Sequence, residues 1–316
     1  MMRLGDHGKY LGWFLVGNLL LVAGYVCLDV SGRLPPPPFA KSISFDEKVV
    51  WLHNNAKPNI DLLALGSSMT LNNLSSEVLV AERPCWRFVN ASSWGLKIRH
   101  VEKFFRLLDG VYKIKSLLIC VAPVDFRKDG RPDEVPHRRL IEQYLRGGSQ
   151  AWAQLILFSG DYFVSNLQKM DLFRNHNDHY QSLHFDLYGG VPLAVKDFAI
   201  DQHRWRGGAQ TEFDESNYQS LVELANYCRE RRIGLYLWTT PVRQQAMGVS
   251  GENLFSFHLA RLQKLAADEG FVLVEADNQD FDDSMFVDMG HLNEKGARQF
   301  TATMLKLMKV KNLSFQ

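Results

Sequence analysis

The sequence predicts an α/β fold in three layers, with a mainly parallel, doubly wound sheet behind one N-terminal transmembrane helix. Three observations predict it. From Asp46 onward, short apolar runs alternate with amphipathic stretches, the pattern of βαβ units. The ends of those runs carry small and polar clusters, as the carboxyl edges of parallel strands do in open sheets. Ahead of them, Tyr10 to Leu28 reads YLGWFLVGNLLLVAGYVCL, without a charge and with Asn18 as its strongly polar side chain.

That first element has the dimensions of a spanning helix. Roughly 19 residues at about 1.5 Å each cover most of a 30 Å hydrocarbon core. A cleaved signal peptide is the alternative, but the run exceeds the usual ~7–15 residues and no small-x-small site follows it. A lipoprotein reading founders on the bulky Tyr25 and Val26 before Cys27. Arg3 and Lys9 precede the helix and Asp29 and Arg33 follow it, a slight bias toward a cytoplasmic N-terminus and a body outside the cytoplasm. Next, Pro35 to Pro38 reads as an extended spacer of roughly 12 Å, at about 3.1 Å per residue. The organisation expected is an anchor over 1–30, a Pro-rich linker over 31–45 and one domain over 46–312.

Within the domain, Ile60–Leu65 reads as a buried strand ending at Gly66-Ser67-Ser68, and Arg87–Ala91 as a second ending at Ser92-Ser93-Trp94-Gly95. Val101, Phe104, Phe105 and Leu108 repeat at helical spacing between Lys97 and Gly110. Ser116–Ala122 makes a third strand. From about 127 to 212 the alternation lapses, which reads as a helical insertion, with helices over His137–Leu145 and somewhere in Ala151–Leu172. It then resumes with a helix over Glu215–Arg231, a strand Ile233–Trp238, a helix Asn253–Asp268, a strand Phe271–Glu275 and a last helix from about Asn293 to Lys309. Five strands with intervening helices give the flavodoxin-like arrangement.

Composition narrows the function classes. Hydrophobic residues at 46% and charged residues at 22% describe a folding chain. With Lys+Arg at 36 against Asp+Glu at 35, no global field draws nucleic acid. Cys27, Cys85, Cys120 and Cys228 lack the close spacing of a zinc site or a redox pair, and at least one of the three beyond the membrane segment is expected to be a free thiol.

Acyl transfer by serine needs a hydroxyl, a base, a group that orients the base, and N–H donors for the oxyanion. Ser68 follows a buried strand in Leu65-Gly66-Ser67-Ser68-Met69-Thr70, although such a turn is equally an ordinary helix cap. Asp288-Met289-Gly290-His291 places a carboxylate and an imidazole three residues apart on a loop that opens the last helix, a spacing that lets one fix the tautomer of the other.

Together the two segments resemble the SGNH/GDSL hydrolase family, whose serine lies after the first strand and whose Asp-x-x-His precedes the last helix. The resemblance spans Asp46 to Met308 apart from the insertion. It implies a catalytic triad of Ser68, His291 and Asp288, with Ser67 where many members carry Asp. Asn90-Ala91-Ser92-Ser93-Trp94-Gly95 looks like the second block, so the oxyanion hole is implied to use the N–H groups of Ser68 and Gly95. The third block departs: where the family carries Gly-x-Asn-Asp, this chain has Ala122-Pro123-Val124-Asp125, and Val124 has no side-chain donor. Loss of one such donor costs on the order of 10²–10³ in turnover. Asp125 reads as structural.

This departure, the membrane helix and Phe45-Asp46-Glu47-Lys48 before the first strand are similar to the membrane-anchored branch that includes alginate O-acetylation and teichoic-acid D-alanyl transfer proteins. The resemblance implies a serine esterase or O-acyltransferase at the bacterial inner membrane. Its domain is implied to be periplasmic and to act without a cofactor on a polysaccharide or cell-envelope glycopolymer, beside a membrane-bound acyltransferase. The rival expectation is a catalytically weak glycan-binding or scaffold subunit.

Other features are weaker. His176, Asp178, His179, His184 and Asp186 crowd the insertion, but irregular spacing argues for a solvated loop over a metal site. His203-Arg204-Trp205-Arg206-Gly207-Gly208 reads as a surface turn or a sugar contact. Thr240 and Arg243, after Trp238-Thr239, are candidates for substrate binding or for a proline-turned strand end.

Overall fold

The computed structural model describes residues 4–128, 135–195 and 213–315. Its sheet is fully parallel, five strands in the order β2-β1-β3-β4-β5. These are β1 (Asn59–Ala64), β2 (Phe88–Asn90), β3 (Lys113–Val121), β4 (Gly234–Thr239) and β5 (Val272–Val274). Leu63 pairs with both Val89 and Leu117, so β1 lies in the middle of its half of the sheet. The chain leaves β1 toward β2 and then returns past it to β3, so the switch in winding direction falls between β1 and β3. In such sheets the crevice at the carboxyl end of the switch is where reactive groups gather.

Both faces are covered, which explains why the strands read as unbroken apolar runs. Leu63, Leu65, Leu117, Ile119, Val121, Leu235 and Leu237 face one core, closed by α5 (Ile98–Val111), α10 (Glu215–Arg231) and α11 (Gln244–Glu269). Leu62, Ala64, Leu118, Cys120, Tyr236 and Trp238 face the other, closed by α4 (Ser76–Glu82) and α12 (Glu294–Val310). The three-layer α/β class read from the sequence is the one observed.

α1 (Leu4–Val30) contains the apolar stretch Gly8–Leu28, 21 residues of mean hydropathy 2.0 with no side chain buried against the body. It is long and apolar enough to cross a membrane.

Four expectations change. The Pro-rich segment does not stand free: Leu34 to Phe39 are all buried, and the Phe39 ring lies 5.1 Å from that of Tyr144. Burial of apolar proline rings on the body outweighs the solvated extended state. The stretch assigned to the linker and the start of the domain also contains a helix, α2 (Ile43–Asn55). Its Ser44, Asp46, Glu47 and Lys48 are buried, so it shows no amphipathic period to read. Lys48 is held there by the carbonyls of Asn90 (3.0 Å) and Gly189, with its ammonium 3.9 Å from the Phe185 ring centroid. The single helix expected in Ala151–Leu172 is three short ones, α7 (Gln150–Leu157), α8 (Gly160–Leu167) and α9 (Met170–Asn175), after α6 (Arg138–Leu145). Finally, α11 begins at Gln244 rather than Asn253, running through Gly248 and Gly251, residues of weak helix propensity. All four cysteines are free thiols.

Candidate active site

The turn after β1 is built around a close approach. A Cβ on Gly66 would sit 2.1 Å from the Thr70 hydroxyl, so only glycine lets the chain pass there. That hydroxyl is fixed in place, donating to the Cys120 carbonyl at 2.9 Å and accepting from the Cys120 N–H at 3.0 Å. Ser67 then caps the short α3 (Ser68–Asn73), its Oγ accepting from the Met69 N–H at 3.1 Å. Ser68 is left half-buried at the carboxyl rim of the switch point.

The partner loop lies between two 3-10 turns and α12. Phe286 and Leu292 form an isolated antiparallel bridge, and the Val287 N–H donates to the His291 carbonyl at 2.8 Å. Asp288 folds the intervening turn: its Oδ1 accepts from the N–H groups of Gly290 (2.8 Å) and His291 (2.7 Å). Its Oδ2 lies 2.7 Å from His291 Nδ1. Burial works against this carboxylate's charge, but the imidazole and the two backbone donors together hold its pKa below the ordinary range. With Nδ1–H donated to Asp288, Nε2 presents its lone pair to Ser68, whose Oγ lies 2.8 Å away. The structure thus joins Ser68, His291 and Asp288 in one hydrogen-bonded chain across 223 residues of sequence.

Three further side chains hold this arrangement, and sequence reading missed two of them. Tyr180, from the insertion, donates its hydroxyl to Asp288 Oδ2 at 2.9 Å and lies 3.2 Å from His291 Nδ1. Nothing in an aperiodic loop marks it. Asn73, fully buried at the end of α3, donates to the Gly290 carbonyl (2.9 Å) and accepts from the Leu292 N–H (2.8 Å), clamping both sides of His291. Here a signal did exist, since Asn72 and Asn73 directly follow the apolar Leu71 in a short helix, and buried polar groups need partners. The third is Arg243, whose backbone N–H donates to Met289 (3.0 Å) and whose guanidinium donates to the carbonyl of Asp283 (2.8 Å). The structure therefore ties Arg243 to the loop that carries His291. Thr240 is buried, with its hydroxyl on the Val121 carbonyl at 3.3 Å, so both candidates for substrate contact are engaged by the scaffold.

The loop carrying Gly95 runs beside the Ser68 turn, since the N–H groups of Ala91 and Ser93 donate to the carbonyls of Ala64 (2.7 Å) and Gly66 (3.1 Å). Gly95 itself has φ +67, a conformation open to glycine. Asp125 is buried, and its Oδ2 accepts from the Ala122 N–H at 2.8 Å. Burial raises its pKa against the opposing attraction of Lys97 and a bond from Ser67. Lys97 also donates to the carbonyl of Val124 at 2.5 Å.

The insertion's histidines and carboxylates have separate tasks. His184 Nδ1 lies 2.6 Å from the Arg174 carbonyl, and Asp186 accepts from the N–H groups of Tyr188 and Gly190, each at 2.8 Å. Among the described residues no three His, Cys, Asp or Glu side chains gather where a metal ion would need them. The segment from His203 to Gly208 lies outside the described residues. An open groove of about 640 Å³ occurs at the opposite, amino-terminal edge of the sheet, lined by Asn59, Lys113 and Ile233 among others, away from Ser68.

No family model matches the chain, and no curated protein does. Among solved structures it is similar to the crystal structure of LAE5, an alpha/beta hydrolase enzyme from the metagenome of Lake Arreo, Spain. The identity is 12% and the TM-score 0.43, over 82% of this chain and 98% of that one.

Proposed function

We propose that this chain is a serine-dependent esterase or O-acyltransferase of the SGNH type, with Ser68 as nucleophile, His291 as base and Asp288 as the carboxylate that orients it. One observation carries the reading: the Ser68–His291–Asp288 relay, with links of 2.8 and 2.7 Å, at the carboxyl rim of a parallel sheet. His291 Nε2 takes the Ser68 proton as Oγ attacks an ester carbonyl. The N–H groups of Ser68 and Gly95 hold the oxyanion. As the tetrahedral species collapses, His291 returns the proton to the departing alcohol. Water or a sugar hydroxyl then attacks the acyl-serine with its proton passing to His291, and Ser68 is restored. Asp288 stays ionised throughout and balances the imidazolium.

The substrate we assign is an acyl ester of an extracytoplasmic polysaccharide or cell-envelope glycopolymer, handled beside a membrane-bound acyltransferase. Supporting this are the resemblance of the Ser68 and His291 blocks and the apolar α1, which is long and apolar enough to cross a membrane; on this reading it holds the domain on the periplasmic side of the inner membrane. Purified full-length protein is expected to turn over a small acetyl ester, and Ser68→Ala to remove that activity. Undiminished turnover in the variant would refute the assignment. A second reading, a catalytically quiet glycan-binding subunit, draws on Val124, which supplies no side-chain donor to an oxyanion. It is told apart by glycan binding in a protein that turns over no ester.

A further inference from the structure

We propose that the apolar segment formed by the consecutive helices α7 and α8 is a bilayer-docking surface that seats the domain on the membrane crossed by α1. The proposal rests on the reading of α1 as a membrane anchor. From Ser149 to Gln168 the chain carries one charged residue, Asp161. Within it Trp152, Leu155 and Ile156 are 64%, 69% and 62% exposed, and the helical spacing puts them on one face of α7. Further along the segment, Phe158 and Val164 are 62% and 71% exposed. The opposite side of α7 is already satisfied, since Ala153 is buried and Leu157 packs on the main core. A water-facing helix would put polar residues where these stand, and contiguous apolar surface of this kind marks a contact.

Its place in the fold names the partner. α8 is fixed to the body by Tyr162, buried beside Asp46. α9 follows directly, and its Arg174 pairs with Glu47 and donates to the Gly32 carbonyl at 2.5 Å. Gly32 is four residues beyond Leu28, where the apolar stretch of α1 ends, and the Arg33 N–H still bonds the Leu28 carbonyl at 2.9 Å. At the helical rise that is about 6 Å. The α7–α8 segment is therefore joined, through α9, to the point where α1 leaves the hydrocarbon, with no free spacer between, because Leu34 to Phe39 are buried on the body. Tryptophan and phenylalanine with aliphatic neighbours is the composition of an interfacial segment. Docking of this segment fixes the tilt of the sheet, and so the height at which Ser68 meets its substrate.

Photo-crosslinking of the full-length chain tests this. The photoreactive residue p-benzoylphenylalanine is placed at Leu155, at Leu19 in α1, and at Val310, which is 73% exposed at the end of α12. Each protein is irradiated in phosphatidylethanolamine–phosphatidylglycerol nanodiscs and in native membranes. Lipid adducts at 155 and 19 with none at 310 are the expected result. Lipid at 19 but not at 155 overturns the docking surface and leaves the anchor standing. No lipid at 19 removes the anchor and the proposal with it. A second polypeptide captured at 155 in native membranes, in place of lipid, overturns it in favour of a protein partner. Serine labelling at Ser68 is read separately, so the chemistry stands or falls on its own.

Discussion

Ser68 lies on a six-residue helix and His291 on a loop 223 residues later, so their 2.8 Å contact depends on side chains that perform no chemistry. Asp288 is saturated, with both backbone donors on Oδ1 and both His291 and Tyr180 on Oδ2. Asp288→Asn is expected to keep the fold and lower kcat by about 10⁴, since an amide presents the wrong tautomer to the base. Tyr180→Phe removes one hydrogen bond to a charged group, worth about 1.5–3 kcal/mol. If part of that is felt in the transition state, kcat falls roughly tenfold with KM unchanged, at about 1.4 kcal/mol per decade; an unchanged kcat would leave Tyr180 without a positioning role. The three relay residues were legible because strand-end serine and Asp-x-x-His are local patterns with a chemical reason. Tyr180 was not, because its role arises from where an aperiodic loop comes to rest.

At the scale of elements, the strands and long helices of the βαβ portion were readable, with uneven boundaries. The helix read as Glu215–Arg231 has those bounds and the first two strands move by a residue, whereas β3 starts three residues earlier than read, α11 nine, and α3 and α4 were not read. Alternating buried runs and amphipathic helices announce themselves through period. Elements whose inward face is polar do not, and α2, with Asp46, Glu47 and Lys48 turned inward, is the plain example. The turn after β1 gives the sharpest structural test. Gly66→Ala forces a Cβ to 2.1 Å from Thr70 Oγ1 and 2.9 Å from Thr70 Cβ, so either the turn opens or Thr70 leaves the Cys120 backbone. A lowered melting temperature together with loss of Ser68 reactivity is expected; an unchanged melting temperature would show that the close approach does not constrain the turn. Asn73→Ala leaves the Leu292 N–H and the Gly290 carbonyl unpaired in a buried site, at about 1–3 kcal/mol for each unpaired group. Chemical denaturation measures that loss.

For the whole molecule, the body is laid directly on the end of α1, and its inward-turned ionisable groups make stability depend on pH. Burial pushes the Asp46 carboxyl up to about 8, against the lowering effect of the Ala40 N–H and the Tyr162 hydroxyl. The folded state then holds a proton that the unfolded chain has released, so this contribution is full below about pH 4 and is lost as pH rises toward 8. Lys48 and His258 pull the other way, since burial disfavours their charged forms and lowers His258 to about 3. The stability of the native protein minus that of Asp46→Asn isolates the carboxyl, and is expected to fall steadily between pH 4 and 8. A flat difference would mean that Asp46 is ionised in its buried site.

All of these effects serve one claim, that an imidazole delivered by the last loop activates the alcohol that follows the first strand. Its most direct measurement is labelling of the full-length protein with a fluorophosphonate and mapping of the adduct by mass spectrometry. A single adduct on Ser68 is expected, lost in Ser68→Ala and strongly slowed in His291→Ala. Absence of any adduct, or labelling of Ser68 at the same rate without His291, would contradict it.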